Sequence, residues 1–279
     1  MRAHEKVVEA GISRVVAAME DPFPLVRGTG FARLREHGIR VDVGVEEQQA
    51  VRLNQPFLTA VRDGRPFVIL KVATSLDGCI AAAPGTRTQF TSAAAVRHAQ
   101  LQRASVDAIA IGSGTLLVDD PLLTAREVYR ERPLTRVVFD RRLRAAPTAR
   151  LLSTLSAGPV IILTSVAAMR LQRERARALA AAGATVLPIE GPAVVDGLRE
   201  LAARGIQSVI LEGGAALHRA AWTEGVVDYV QLYLAPVMLG SAGVPLLEDE
   251  ACPVGSLVEQ QVRPLGPDTL IEGYVHRPH

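Results

Sequence analysis

The sequence predicts an α/β protein: a mostly parallel sheet flanked by helices, with a small partial α/β segment at the N-terminus. Three observations predict it. From residue 67 onward, short apolar runs alternate with stretches of helical periodicity, the pattern of strands joined by crossover helices. The runs are rich in Val and Ile and nearly free of polar residues, as strands covered on both faces are. Several stop abruptly at small or polar residues, most clearly LKVATSLDG at 70–78 and VILEGG at 209–214. Open α/β sheets bind ligands just outside such strand ends.

In chain order, residues 7–17 read as a helix end closed by Gly11 and then a short strand. Residues 19–30 (MEDPFPLVRGTG) hold two prolines and two glycines and read as a loop. Residues 31–37 form a short amphipathic helix stopped by Gly38. Residues 39–45 alternate apolar and polar, a strand signal. Residues 46–61 are helical with a break at Pro56. Asp63-Gly64-Arg65-Pro66 is turn chemistry, and the domain boundary is placed there, dividing 1–63 from 64–279.

Beyond it, 67–74 is a strand. Residues 92–104 are a helix that Ser92 caps, with Val96, Ala99 and Leu101 apolar. Strands follow at 108–112, 136–140 and 160–164. Residues 166–182 read as one long Arg-rich helix ending at Gly183. A strand at 185–189 precedes a helix at 194–204, ended by Gly205. A strand at 208–211, a helix at 215–225 and a strand at 229–234 continue the alternation. Residues 229–240 (YVQLYLAPVMLG) fit either a buried strand or a subunit contact, and the contact is favoured. Residues 257–275 read as two antiparallel strands around Gly266-Pro267-Asp268. Trp222 and Tyr229 read as core or interface residues.

Composition narrows the function. The chain has 279 residues, 48% apolar and 22% charged, with 31 basic and 29 acidic residues. That is the balance of a soluble enzyme. No run of five or six like charges and no basic face interleaved with aromatics argues for nucleic acid. No uncharged apolar stretch reaches membrane-spanning length, and MRAHEKVVEAG is not a signal peptide. Cys79 and Cys252 stand far apart in no metal-binding or disulfide spacing, which suits a reducing cytoplasm. His37, His98 and His218 each lack a second ligand at helical spacing, so no metal site is expected and each reads as a surface or satisfied helix histidine. Arg is far commoner than Lys.

Two segments carry the chemistry. Lys71, Thr74, Ser75 and Asp77 come from one strand end, and Glu212, Gly213 and Gly214 from another, so Asp77 and Gly213 are expected to share one pocket. The amides of a glycine turn opening a helix favour an anionic group such as a pyrophosphate. Ile111-Gly-Ser-Gly-Thr115 resembles a dinucleotide fingerprint, but Leu117 stands where its third glycine would be, so a tight turn leading into a loop is the reading. That loop places Asp119, Asp120, Thr124 and Arg126 around Pro121. Arg103 and Arg126 offer forks for a phosphate.

In order, LKVATSLDG, Thr91-Ser92, GSGTLLVDDPLLTAR, RVVFDRRLR, VILEGG and YLAPVMLG resemble the reductase domain of the bifunctional riboflavin-biosynthesis family RibD, from about residue 65 to the C-terminus. The resemblance implies a dihydrofolate-reductase-like fold. It also implies NADPH-dependent reduction of the ribosyl group of 5-amino-6-(5-phosphoribosylamino)uracil to a ribityl group, in a cytoplasmic homodimer. The partner is then a small phosphoribosylated pyrimidine, with no nucleic acid and no membrane. The first 63 residues are similar to the second half of the family's cytidine-deaminase-like domain. Its zinc signature is missing: the first 60 residues hold no cysteine, and His4-Glu5 is not the motif. A zinc deaminase needs one His, two Cys and a Glu, so no deamination is expected. A half domain leaves an open strand edge, so residues 7–56 are expected to pack against something or to be poorly ordered.

The resemblance further implies that Ala73, Gln89, Thr115, Asp119, Gly213, Gly214, Ala215, Ala216 and Leu217 line the cofactor. Arg87, Arg103, Leu123, Arg126 and Glu212 would hold the substrate, with Lys71 and Glu212 at the reacting centre. Gln89 replaces a frequent tryptophan, and Arg87 a small hydroxyl residue that Thr88 would stand in for. Lys71 or water would supply the proton. Thr164, Ser165 and Arg141 are candidates to read a 2′-phosphate. Two alternatives stay open: reduction of the non-deaminated diaminopyrimidinone, and a non-catalytic nucleotide-binding protein.

Overall fold

In the computed structural model, residues 3–23, 25–246 and 253–278 are described; Cys252 lies outside them. The chain divides after Gly64 into two compact units.

The first unit holds helices α1 (Ala3–Glu9), α2 (Thr29–Glu36), α3 (Glu47–Leu53) and α4 (Gln55–Asp63), and strands β1 (Arg14–Ala17) and β2 (Arg40–Val43). The two strands pair in parallel, Arg14 opposite Arg40. These like charges are reconciled by Asp42, whose carboxylate accepts from both guanidinium groups at 2.6 and 3.1 Å. Gly38 ends α2 with φ 78°, a conformation that costs glycine no Cβ clash. The break expected within 46–61 divides it into two helices. The break falls at Asn54, whose side chain donates to the Ala50 carbonyl at 2.8 Å. Pro56 then sits in the first turn of α4, where its missing N–H costs nothing.

The second unit is built on a nine-stranded sheet in the order β12-β13-β10-β3-β9-β5-β6-β7-β8. Its strands are β3 (Phe67–Thr74), β5 (Ala108–Gly112), β6 (Thr135–Phe139), β7 (Val160–Ser165), β8 (Ala184–Ile189), β9 (Ser208–Gly213), β10 (Tyr229–Leu234), β12 (Val258–Leu265) and β13 (Asp268–Tyr274). Strands β10 to β8 run parallel. β13 and β12 add an antiparallel edge. A short ribbon of β4 (Cys79–Ala81) with β11 (Val244–Pro245) stands apart. Helices α5 (Ala93–Ser105), α6 (Ser113–Asp119), α7 (Val166–Leu171), α8 (Arg173–Ala181), α9 (Val194–Ala202) and α10 (Ala215–Thr223) complete the unit. Two large apolar cores form, with a smaller cluster of Ala95, Ala99, Tyr233 and Leu270 beside them. Ala108, Ala110 and Val209 belong to one, and the intervening Ile109 and Ile210 to the other, which is the period-2 alternation of strands buried on both faces.

Two expectations are corrected. Residues 113–119 form a helix, not a turn leading into a loop. Gly112 is extended, with φ −81° and ψ 158°, and Leu116 drives into the core at 3% exposure, an apolar anchor that outweighs the two glycines. The long helix over 166–182 is α7 and α8, broken at Gln172 (φ −115°, ψ 44°). Residues 229–234 form an interior strand with neighbours on both sides, the buried strand that was one of the two readings of 229–240.

No helix among the described residues is long and apolar enough to cross a membrane.

Candidate functional site

The register of the central strands assembles the site. Leu70 pairs with Leu211, so one step later Lys71 and Glu212 leave neighbouring strands side by side. On β3, Leu70 and Val72 are buried in the core while Lys71 and Ala73 lie on the opposite, partly open face. The Glu212 carboxylate lies 3.8 Å from Lys71 Nζ. It also accepts two parallel bonds from Arg103 on α5, Nε to Oε1 at 2.6 Å and Nη2 to Oε2 at 2.7 Å. A third arm of Arg103 donates to the Thr124 carbonyl at 3.0 Å, tying α5 to the loop after α6. Burial alone would raise the Glu212 carboxyl. The Arg103 guanidinium and Lys71 ammonium outweigh that and bring it from 4.5 down to about 2. Glu212 is therefore a carboxylate at neutral pH, fitted to accept hydrogen bonds and not to donate a proton.

Among the described residues, three cavities open along the carboxyl ends of these strands. The largest, about 540 Å³, is walled by Lys71, Ala73, Thr115, Asp119 and the Gly213–Gly214 turn. A second, about 300 Å³, shares Lys71, Ala73 and Glu212 with it and adds Gln89, Arg103 and Arg126. A third, about 380 Å³, shares Gly214 and Ala216 with the first and runs out to Arg141, Arg142 and Arg144. Arg87, Thr88 and Asp119 stand where the first two meet. Asp119 is raised by burial, against the pull of the Arg87 charge.

The glycine turn fits a bound dinucleotide. A Cβ on Gly213 would meet Thr115 Oγ1 at 2.8 Å, and Gly214 has φ 89°. Only glycines leave the backbone flush with the cavity here. Gly214 opens α10 with no side-chain cap, so the first amides of that helix are left to an anionic group. The cavity sizes suit small ligands held by a few polar groups.

The structure brings together Lys71, Ala73, Arg87, Thr88, Thr115, Asp119, Glu212, Gly213, Gly214, Ala215 and Ala216 around the first cavity, Gln89, Arg103 and Arg126 around the second, and Leu217 at the third. It does not bring in Leu123, whose side chain is in the core at 4% exposure and whose backbone is left-handed (φ 54°). Asp77 is likewise outside all three. It accepts from Ser75 Oγ and from the amides of Leu239 and Gly240, which hold its carboxyl at about 2, and it is a bracket between two loops. The segment shares the pocket through Lys71 and Ala73 instead. Asp120 accepts from the Arg150 amide, and Thr124 contributes its carbonyl to Arg103. Ser165 caps α7 and Thr164 is fully buried, whereas Arg141 lines the third cavity.

Arg103 cannot serve as the free phosphate fork expected of it, because its guanidinium is committed to Glu212. The Arg126 guanidinium has no hydrogen bond or ion pair among the described residues, and only its backbone N–H is engaged, by Gln100 at 2.8 Å. Sequence reasoning missed Arg142 and Arg144; the run Arg141-Arg142-Leu143-Arg144 straight after β6 was the available signal. It also missed His218, which is 2% exposed and lines the first cavity. Burial and the nearby Lys71 push it down to about 4, so it stays neutral. His98 is a satisfied helix histidine, as expected. Among the described residues no cluster of His, Cys, Asp or Glu could hold a metal ion.

A family model described as RibD C-terminal domain matches residues 66–271. The riboflavin biosynthesis protein RibD of Bacillus amyloliquefaciens is 38% identical over 271 residues, covering 95% of this chain and 72% of that protein. The solved structure of Acinetobacter baumannii RibD is similar with a TM-score of 0.82 at 31% identity, over 98% of this chain and 76% of that one. A diaminohydroxyphosphoribosylaminopyrimidine deaminase/5-amino-6-(5-phosphoribosylamino)uracil reductase from Thermotoga maritima gives 0.79 at 27% identity, over 96% and 73%.

Proposed function

The chain belongs to the RibD C-terminal domain family, and on that premise we propose that it is a pyrimidine reductase of riboflavin biosynthesis. Its substrate is 5-amino-6-(5-phosphoribosylamino)uracil, its product the ribitylamino compound, and its reductant NADPH. The observation that carries the reading is the continuous trough of three cavities, with an arginine cluster at one end and Lys71, Glu212 and Arg126 at the other.

When bound, NADPH supplies the hydride that reduces C1′ of the opened ribosyl group. The protein's own residues bind and orient. Thr115, Asp119 and the Gly213–Gly214 turn hold the cofactor's middle. Arg126, with Arg87 where the first two cavities meet, takes the substrate phosphate. Glu212, fixed by Arg103, accepts hydrogen bonds from ribosyl hydroxyls or the pyrimidine. Lys71, a three-way donor beside that carboxylate, holds the reacting oxygen and is the candidate proton source.

Preference for NADPH over NADH follows from the arginines of the third cavity, since a 2′-phosphate is the one anionic group that separates the two. Replacing Arg141 and Arg142 together with alanine is expected to raise the KM for NADPH about tenfold, the size of one lost charge-assisted contact, and to leave that for NADH unchanged. Equal changes for both would remove the assignment. The reading as a whole is tested by NADPH absorbance with the purified deaminated pyrimidine: substrate-dependent loss is expected, and none with either pyrimidine would refute it.

The same reading makes 1–63 part of a deaminase-like fold without its zinc ligands, contributing no deamination. It makes the protein a cytoplasmic homodimer, for which light scattering should give twice 29.8 kDa.

A further inference from the structure

Tyr233 and His98 take no part in the contacts assigned above, yet Tyr233 borders Lys71 and His98 holds Tyr233. Tyr233 on β10 pairs with Ala73 on β3, so Lys71, two residues earlier, is its diagonal neighbour on the same face. Lys71 Nζ lies 5.3 Å from the centre of the Tyr233 ring, within the reach of a cation–π contact. The ammonium is thus bounded by the aromatic face and by the Glu212 carboxylate at 3.8 Å. The ring is 1% exposed and lines the cavity that also holds Arg103 and Arg126.

The hydroxyl of Tyr233 is anchored from behind. It lies 2.7 Å from His98 Nδ1. The other ring nitrogen, Nε2, faces Arg263 Nη2 at 2.8 Å and Gln102 Nε2 at 3.3 Å. Both of those groups only donate, so Nε2 must accept and the proton sits on Nδ1, donating to Tyr233 Oη. The amide of Gln102 is fixed in that sense because its oxygen accepts from Gln231 Nε2 at 2.9 Å. Arg263 in turn donates to Glu272 at 3.0 Å, and Gln231 to the other oxygen of Glu272. Burial and the Arg263 charge lower His98, in keeping with a neutral ring. Of the 31 basic residues only Lys6 and Lys71 are lysines.

We propose that Tyr233 is a positioning residue for Lys71: its ring, fixed by His98, holds the ammonium against Glu212 where the reacting carbon of the substrate must lie. This rests on the reductase reading for its consequence but not for its geometry, and the test separates the two. Wild type, Tyr233→Phe and Tyr233→Leu are compared by steady-state kinetics and by acetic anhydride labelling, read by mass spectrometry with the exposed Lys6 as internal reference. Tyr233→Met replaces the leucine variant should that one fail to fold.

The leucine variant is expected to lose about tenfold in kcat with its KM for NADPH unchanged, and to label several times faster at Lys71. The phenylalanine variant keeps the ring and is expected to stay within about threefold of wild type in both. Wild-type labelling and kcat in the leucine variant would overturn the proposal. Equal losses in the two variants would also overturn it, by assigning the effect to the hydroxyl. A wild type that oxidises no NADPH would remove the reductase reading, while the labelling contrast would still decide the role of Tyr233.

Discussion

Replacing Glu212 with glutamine is expected to lower kcat by about a hundredfold and to destabilise the fold by about 3 kcal/mol. Glutamine keeps the shape and removes the charge. Two cations, Arg103 and Lys71, then share a nearly buried site with no counter-ion, and the side chains of Arg103 and Lys71 are each only 18% exposed. Breaking one side of such a group is costly because the remaining charges stay desolvated. The catalytic loss has a separate origin. Arg103 is released from its fork, and Lys71 loses the carboxylate that fixes it beside the reacting carbon.

Thermal and urea unfolding against pH check the sign. The folded Glu212 carboxyl lies at about 2, below its ordinary 4.5. Its contribution, about 3 kcal/mol by linkage, is therefore complete above pH 4.5 and is lost as pH falls toward 2. The glutamine variant should lack that part of the acid transition. A variant with wild-type stability at pH 7 would show that the three charges are not coupled as the distances imply.

Replacing Arg126 with alanine is expected to raise the KM for the phosphorylated substrate between about tenfold and a hundredfold with kcat nearly unchanged, as loss of a charge-assisted contact made equally in ground and transition states does. Arg126 lines the second cavity with its guanidinium uncommitted, whereas Arg103 is held by Glu212. The contrast is testable within one assay. Inorganic phosphate should compete with substrate in wild type and lose that effect in the Arg126 variant. Wild-type kinetics in Arg126→Ala would move the phosphate elsewhere, with Arg87 next in line.

Much of the fold was legible because strands declare themselves by composition. β3, β5 and β10 fall where their apolar runs lie, and the Gly213–Gly214 turn marks the end of β9. What the sequence hid was tertiary. Two glycines in Gly112-Ser113-Gly114 argue locally for a turn, and only burial of Leu116 makes α6 a helix. The carboxyl ends of the strands located the trough, but which polar residues face it depended on partners invisible in one dimension. Asp77 reads as a pocket residue until Ser75, Leu239 and Gly240 are seen to consume its oxygens. Arg103 and Arg126 read alike until Glu212 takes one of them. His218 reads as a solvated or satisfied helix residue, and its burial beside Lys71 follows from α10 docking at the strand ends. The pairing of the glycine turn with the Lys71 segment was legible from the strand ends themselves; the family resemblance supplied the roles of the individual residues.

In the proposed reaction, one trough sets a reduced nicotinamide directly against C1′ of the phosphorylated sugar, with Lys71 and Glu212 alongside. This is tested by single-turnover reaction with NADPH deuterated at the transferring carbon, followed by NMR of the product. One deuterium at C1′ of the ribityl chain is the result predicted. Oxidation of the labelled cofactor with only protium at C1′, or no ribityl product at all, would contradict it.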